Sequence, residues 1–143
     1  MVDLVSSSEE TTLHIFSQEG PLSQHLSGYE MREQQRDMSL AVMEAYEMGK
    51  ILLAEAATGV GKSWAYLIPA ILWAATKKEP TVISTHTIAL QEQLIEKDIP
   101  FLLEVLGLDM QATLVKGMGN YFCFKKYEET ASENLFLNPV EQM

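Results

Sequence analysis

The eight residues Ala56-Ala57-Thr58-Gly59-Val60-Gly61-Lys62-Ser63 constrain this chain more than any other segment. They follow a short apolar run, Ile51-Leu52-Leu53-Ala54, and lead into a long stretch of helical character from Lys62 to about Thr76. At such a junction the N–H groups of the loop and of the first helical turn have no partners within the element and converge on a hollow. Gly59 and Gly61 permit a tight path and close backbone approach. A G-x-G-K-[ST] pattern arises by chance in roughly 1% of chains this long, at ordinary glycine usage. The full G-x-x-x-x-G-K-[ST] form is not met, because Ala56 stands at its first glycine. An amide cradle followed by a lysine and a hydroxyl suits a polyphosphate. In that reading Thr58, Gly59, Val60 and Gly61 wrap it, Lys62 reaches the β- and γ-phosphates, and Ser63 holds Mg²⁺. The plainer alternative is a glycine-rich helix start with an exposed lysine.

The surrounding pattern alternates between strand and helix signals. Met38, Ala41, Val42, Ala45 and Met48 recur at spacings of three and four, predicting a helix from Arg32 to Met48 that Gly49 stops. Ile51–Ala54 reads as a strand buried on both faces. Thr81–Thr85 is a β-branched second strand, and Ala112–Val115 a third. Between them, Thr87 to Asp98 reads as a helix that buries Ile88, Leu90, Leu94 and Ile95. Pro100 is expected to break it, and a short helix then ends at Gly107. Pro69 predicts a kink or break within the helix after the loop. Strands alternating with helices over so short a span predict an α/β fold: an incomplete P-loop domain with a parallel sheet, right-handed crossovers and flanking helices. Residues 1–12 are polar and acidic and are expected to be disordered. Leu13 to Tyr29 reads as a lead-in packed on the domain, and residues 128–143 as a polar tail.

Composition narrows the classes further. With 143 residues there is room for one domain. The net charge of −10 excludes a globally basic, nucleic-acid-coating protein, though not a local basic groove. A single cysteine excludes an internal disulfide framework. The longest apolar run, Trp64 to Ala75, contains Pro69 and falls short of the roughly 18–20 residues a membrane span requires. The first residues lack the features of a signal peptide. The expectation is a cytoplasmic monomer without a membrane partner.

Four motifs in order carry a resemblance to a known family. They are Tyr29-Glu30-Met31-Arg32-Glu33-Gln34-Gln35-Arg36-Asp37-Met38, the glycine loop with Ala56 first, Ile83-Ser84-Thr85-His86-Thr87-Ile88-Ala89-Leu90-Gln91-Glu92-Gln93-Leu94, and Lys116-Gly117-Met118-Gly119-Asn120-Tyr121-Phe122-Cys123. This succession resembles the Q-type motif, motif I, motif Ia and the start of the iron–sulfur insertion of the DinG/XPD-like superfamily 2 helicases, with the bacterial DinG branch most similar. The resemblance spans about Phe16 to Tyr127 and identifies residues 13–127 as the first part of a RecA-like helicase lobe.

The resemblance implies ATP and Mg²⁺ as ligands, single-stranded DNA as partner, and ATP-driven 5′→3′ unwinding during DNA repair. Gln35 then reads an adenine edge with its amide, Tyr29 stacks on the base, and Arg32 pairs with phosphate or braces the loop. On spacing alone a solvated helix face is the better reading of Arg32 and Gln35, and the resemblance reverses it. Thr85, His86 and Thr87 would grip the phosphates of a single strand, whereas the local alternative is a cap on the next helix. Cys123 matches the first of four family ligands to a [4Fe–4S] cluster, which needs four thiolates where this sequence has one. Basic and aromatic residues interleave from Tyr121 to Tyr127, a composition suited either to stacking on bases or to a core. Met118 stands where the family commonly carries a basic residue. The family's D-E-A-H motif and the arginine of a second lobe have no counterpart in these residues, so the chain is read as an N-terminal part that binds nucleotide weakly and turns over none alone. Two rivals are a small P-loop kinase or GTPase, and a non-catalytic ATP-binding fragment.

Overall fold

The computed structural model describes residues 8–134. Residues up to Thr113 form one unit and those from Leu114 a second. The first unit contains α1 (Ser8–Ile15), α2 (Pro21–His25), α3 (Glu33–Met48), α4 (Lys62–Lys77), α5 (Ile88–Gln93) and α6 (Ile99–Leu106), with a π-helical turn, Leu94–Asp98, joining the last two. The second holds a 3₁₀ turn, Met118–Asn120, and α7 (Phe124–Asn134).

The α/β expectation is corrected here: among the described residues there is no strand and no sheet. Ile51–Ala54, Thr81–Thr85 and Ala112–Val115 form no strand, and much of the apolar surface expected to lie on a sheet is exposed. Ile51 is 101% exposed, Leu53 99% and Val82 90%. An apolar β-branched run signals a wish for burial, not a partner, and an extended segment gains stability only when a neighbour completes its ladder. In this unit the apolar surface is buried between helices instead.

α4 is the hub of that core. Ala65, Leu67, Ile68, Ala70, Ile71, Leu72 and Ala75 are all buried, giving the helix an apolar surface most of the way round. It packs along α3 and meets α1, α6 and the π turn. Ile15, Phe16 and Leu22 of the lead-in are fully buried in the same core, with Leu102, Val105 and Leu106 from α6. Tyr46 of α3 stacks on Trp73 of α4, ring centroids 5.4 Å apart. Pro69 does not break α4, and its ring is fully buried in the core.

α3 ends at Gly49 with φ 59°, as its sequence predicts, but its buried face is turned from the expected one. Gln35, Ser39 and Met43 are buried, while Met48 is 58% exposed. Pro100 likewise fails to end its helix. The preceding π turn opens the ladder where proline has no N–H to donate, and the chain continues helically to Gly107. Leu94 is buried as expected, whereas Ile88 is 60% exposed. Of the N-terminal segment expected to be disordered, Ser8 to Thr12 form the start of α1, and residues 1–7 lie outside the described residues. The polar tail is helical as far as Asn134, and residues 135–143 lie outside the description. Among the described residues no helix is long and apolar enough to cross a membrane.

Candidate functional site

The glycine loop is shaped by two left-handed residues, Gly59 at φ 84° and Gly61 at φ 85°. Gly61 is the N-cap of α4, so the N–H groups of Lys62, Ser63 and Trp64 open the helix where no intrahelical acceptor exists. Gly61 is also the point of closest approach. A Cβ there would lie 2.1 Å from Gln35 Nε2, so no other residue fits while Gln35 keeps its place.

Three donor side chains hold the oxygens of this loop. Gln35 Nε2 donates to the Gly61 carbonyl at 2.8 Å, and Arg32 Nη1 to the Gly59 carbonyl at 2.6 Å. Lys62 Nζ donates to the carbonyls of Ala56 and Ala57, both at 2.7 Å. Gln35 is buried on α3, and Arg32 is the N-cap of that helix, so both reach the loop from a packed element. Tyr29, just before, is fixed by donating its hydroxyl to the Phe16 carbonyl at 3.0 Å. Burial raises its phenol above the ordinary tyrosine value, the nearby Arg32 charge opposing this.

Tyr29, Arg32, Gln35, Gly61 and Ser63 line one cleft of about 480 Å³. The sequence placed them in two motifs, and the fold brings them to one hollow. It adds side chains that sequence reading missed. Trp64, Gln93 and Asp98 complete the wall, with Glu30 and the Leu26–Gly28 turn at its edge. Asp98 accepts from Gln93 Nε2 at 2.9 Å, and Trp64 Nε1 lies 3.4 Å from its other oxygen. The indole stacks on Phe101, centroids 5.3 Å apart. Burial raises the pKa of the neighbouring Tyr66 phenol, with Ser63 opposing the rise and Asp98 adding to it. Only the apolar ring of Trp64 hinted at this wall, since neither Gln93 nor Asp98 belongs to a phosphate-loop pattern. A second hollow of about 530 Å³ flanks the loop, lined by Leu53 to Ala57, Val60, Gln34 and Met38. Its polar side chains are Gln34 and Glu55.

The remaining candidates sit elsewhere. Thr87 caps α5, its hydroxyl accepting from the Leu90 N–H at 3.3 Å, and Thr85 donates to the Thr87 carbonyl at 3.3 Å. The capping alternative therefore accounts for the Thr87 hydroxyl; His86 is exposed. None of the three lines either cleft. In the second unit, Tyr121 Oη accepts from the Lys116 N–H at 2.9 Å, closing the loop around the 3₁₀ turn. Phe122 meets Phe124 edge-on at 5.0 Å and lies tilted against Tyr127 at 5.4 Å. Cys123 is exposed beside them. Among the described residues no three His, Cys, Asp or Glu side chains gather to hold a metal. One thiolate does not fit a [4Fe–4S] cluster, and no chemistry is routed through one here.

The match to a family model covers residues 33–135, more than half of the chain: it belongs to the DEAD/DEAH box helicase family. The chain is 40% identical over 116 residues to the ATP-dependent DNA helicase YoaA of Escherichia coli K12, covering 81% of this chain and 18% of that protein. It is 42% identical over 118 residues to the ATP-dependent helicase DinG of Mycobacterium tuberculosis H37Rv, covering 78% and 18%. The 3′-5′ exonuclease DinG of Bacillus subtilis is 37% identical over 115 residues, 80% of this chain and 12% of its own length. The chain thus spans under one fifth of the length of these relatives. No solved structure matches it significantly.

Proposed function

We propose that this chain is the nucleotide-gripping portion of a DinG-type ATP-dependent DNA helicase. The observation that carries the reading is the common cleft: the Tyr29–Gln35 segment and the Gly61–Ser63 corner share one hollow, and their donors occupy the loop's carbonyls. With the Gly59 and Gly61 oxygens held by Arg32 and Gln35, the loop from Thr58 to Gly61 can turn its amides to a triphosphate with less carbonyl repulsion. Lys62 exchanges its two carbonyl acceptors for β- and γ-phosphate oxygens, and the Ser63 hydroxyl takes Mg²⁺. Tyr29 and Gln35 meet the base, while Arg32 braces the loop from outside it. Bound Mg²⁺ supplies charge neutralisation at the phosphates.

In the whole helicase, nucleotide binding and release would alternate the grip on single-stranded DNA and drive 5′→3′ unwinding in the cytoplasm. Thr85, His86 and Thr87 are the proposed phosphate-backbone contacts of that strand, with the protein acting as a monomer. The three residues lie immediately before and at the cap of α5, where a hydroxyl and free helix N–H groups suit a phosphate without reading a base.

Isothermal titration of Mg·ATP into this chain and its Lys62→Ala variant tests the nucleotide reading. Binding to the wild type, weakened about tenfold or more by the substitution, is expected. Equal affinity of the two proteins overturns it. Phosphate release by the chain alone should stay at background, and robust DNA-stimulated turnover would refute the assignment of these residues to binding without hydrolysis.

A further inference from the structure

Asp98 has no part in the phosphate-loop pattern, yet its carboxylate stands in the wall of the same cleft as Ser63, Gln35 and Tyr29. It is held there deliberately. Gln93 Nε2 donates to one oxygen at 2.9 Å, and the Trp64 indole N–H faces the other at 3.4 Å, itself braced by the Phe101 ring. Both neighbours are donors, so they orient the carboxylate and leave acceptor capacity on each oxygen, a carboxylate having about four acceptor sites. The residue closes the π-helical turn Leu94–Asp98, a distortion often found at functional positions.

A carboxylate repels phosphates, and the phosphates belong at the opening of α4 with Lys62 and Ser63. What it can accept from is the uncharged part of the ligand. The donor groups matching a carboxylate's two oxygens are the vicinal hydroxyls of a ribose, a pairing other nucleotide folds use. We propose that Asp98, positioned by Gln93 and Trp64, accepts hydrogen bonds from the sugar hydroxyls of the bound nucleotide and makes this cleft prefer ribonucleotides to deoxyribonucleotides. This rests on the nucleotide reading above and adds to it a determinant of sugar specificity.

The test is titration calorimetry of the wild-type chain, Asp98→Asn and Asp98→Ala with Mg·ATP, Mg·2′-deoxy-ATP and inorganic tripolyphosphate, folding being verified by circular dichroism. The wild type should bind ATP about tenfold more tightly than 2′-deoxy-ATP, the range one charge-assisted hydrogen bond supports. Both variants should bring that ratio within about twofold of unity while tripolyphosphate affinity does not fall, because its site lies at Lys62 and the loop amides and a repelling carboxylate has been removed. A wild type that binds ATP in a Lys62-dependent way without sugar preference overturns this inference alone, and that comparison requires no Asp98 variant to fold. Variants that retain the preference also overturn it. Failure of the wild type to bind ATP and tripolyphosphate alike removes the nucleotide reading and this inference with it.

Discussion

Replacing Gly61 by alanine should damage this protein through two separable effects. The first is backbone strain: at φ 85° an L-residue is disfavoured by about 1–2 kcal/mol. The second is collision, because the new Cβ would stand 2.1 Å from Gln35 Nε2 and 2.9 Å from its Cδ. Gln35 must then leave, losing its 2.8 Å bond to the Gly61 carbonyl and stranding a buried amide, a further loss of about 1–3 kcal/mol. Gly59 supplies the internal control, since its φ is 84° and a Cβ there meets nothing within 4 Å. Urea unfolding followed by circular dichroism should therefore show Gly59→Ala losing about 1–2 kcal/mol and Gly61→Ala about 2–5 kcal/mol. In a Gln35→Ala background the excess at Gly61 should vanish. Equal losses at the two glycines in the wild-type background, or an excess that survives removal of Gln35, would refute the claim that the amide and the glycine are fitted to each other.

Two further outcomes follow from other residues. Among the described residues Ser39 Oγ, buried on α3, has no hydrogen-bond partner, so Ser39→Ala should raise stability by about 1 kcal/mol in the same urea assay; a loss of that size would show that the hydroxyl has an acceptor. Burial raises the phenols of Tyr29, Tyr46 and Tyr66 above 10.0, the ordinary tyrosine value. The folded state then keeps these protons after the unfolded chain has lost them, so their contribution is complete below pH about 10 and is lost as pH rises through the folded values. Phenolate absorbance should show three tyrosines titrating late, and Tyr66→Phe should leave two.

The helices and the sheet were not equally legible. Gly49 and Gly107 end α3 and α6 where the sequence said they would, because a C-terminal glycine works through its own backbone. The strands failed because pairing is non-local: nothing in Ile51-Leu52-Leu53 says whether a neighbour exists, and in this unit the apolar surface is buried between helices. The helix breaks expected at the prolines failed for a related reason. Burial of Pro69 in the core and a π turn before Pro100 are tertiary accommodations that a propensity scale cannot contain. At the site, the loop and the Tyr29–Gln35 segment were readable as motifs, whereas Trp64 and Asp98 belong to none and Gln93, inside the Ile83–Leu94 motif, carried no sign of a place at the cleft. They face the cleft through the crossing of α4 with the α5–α6 stretch, not through any spacing in the chain.

The packing of α3 along α4 explains why a loop so exposed can be shaped in advance. Gln35 and Gly61 stand 26 residues apart, and Arg32 and Gly59 stand 27 apart, so each bond closes a long stretch of chain. On an unanchored segment the entropy of that closure would exceed what one hydrogen bond returns. The packing of α3 along α4, through Met43 and the Tyr46–Trp73 stack, has already brought the ends together, so the marginal cost at the loop is small. The buried Gln35 is the hinge of the arrangement: one face of its residue belongs to the helical core, and its amide belongs to the loop. The core therefore does more than hold the chain folded, because it fixes which side of the glycine loop shows its carbonyls and which side is left for a ligand.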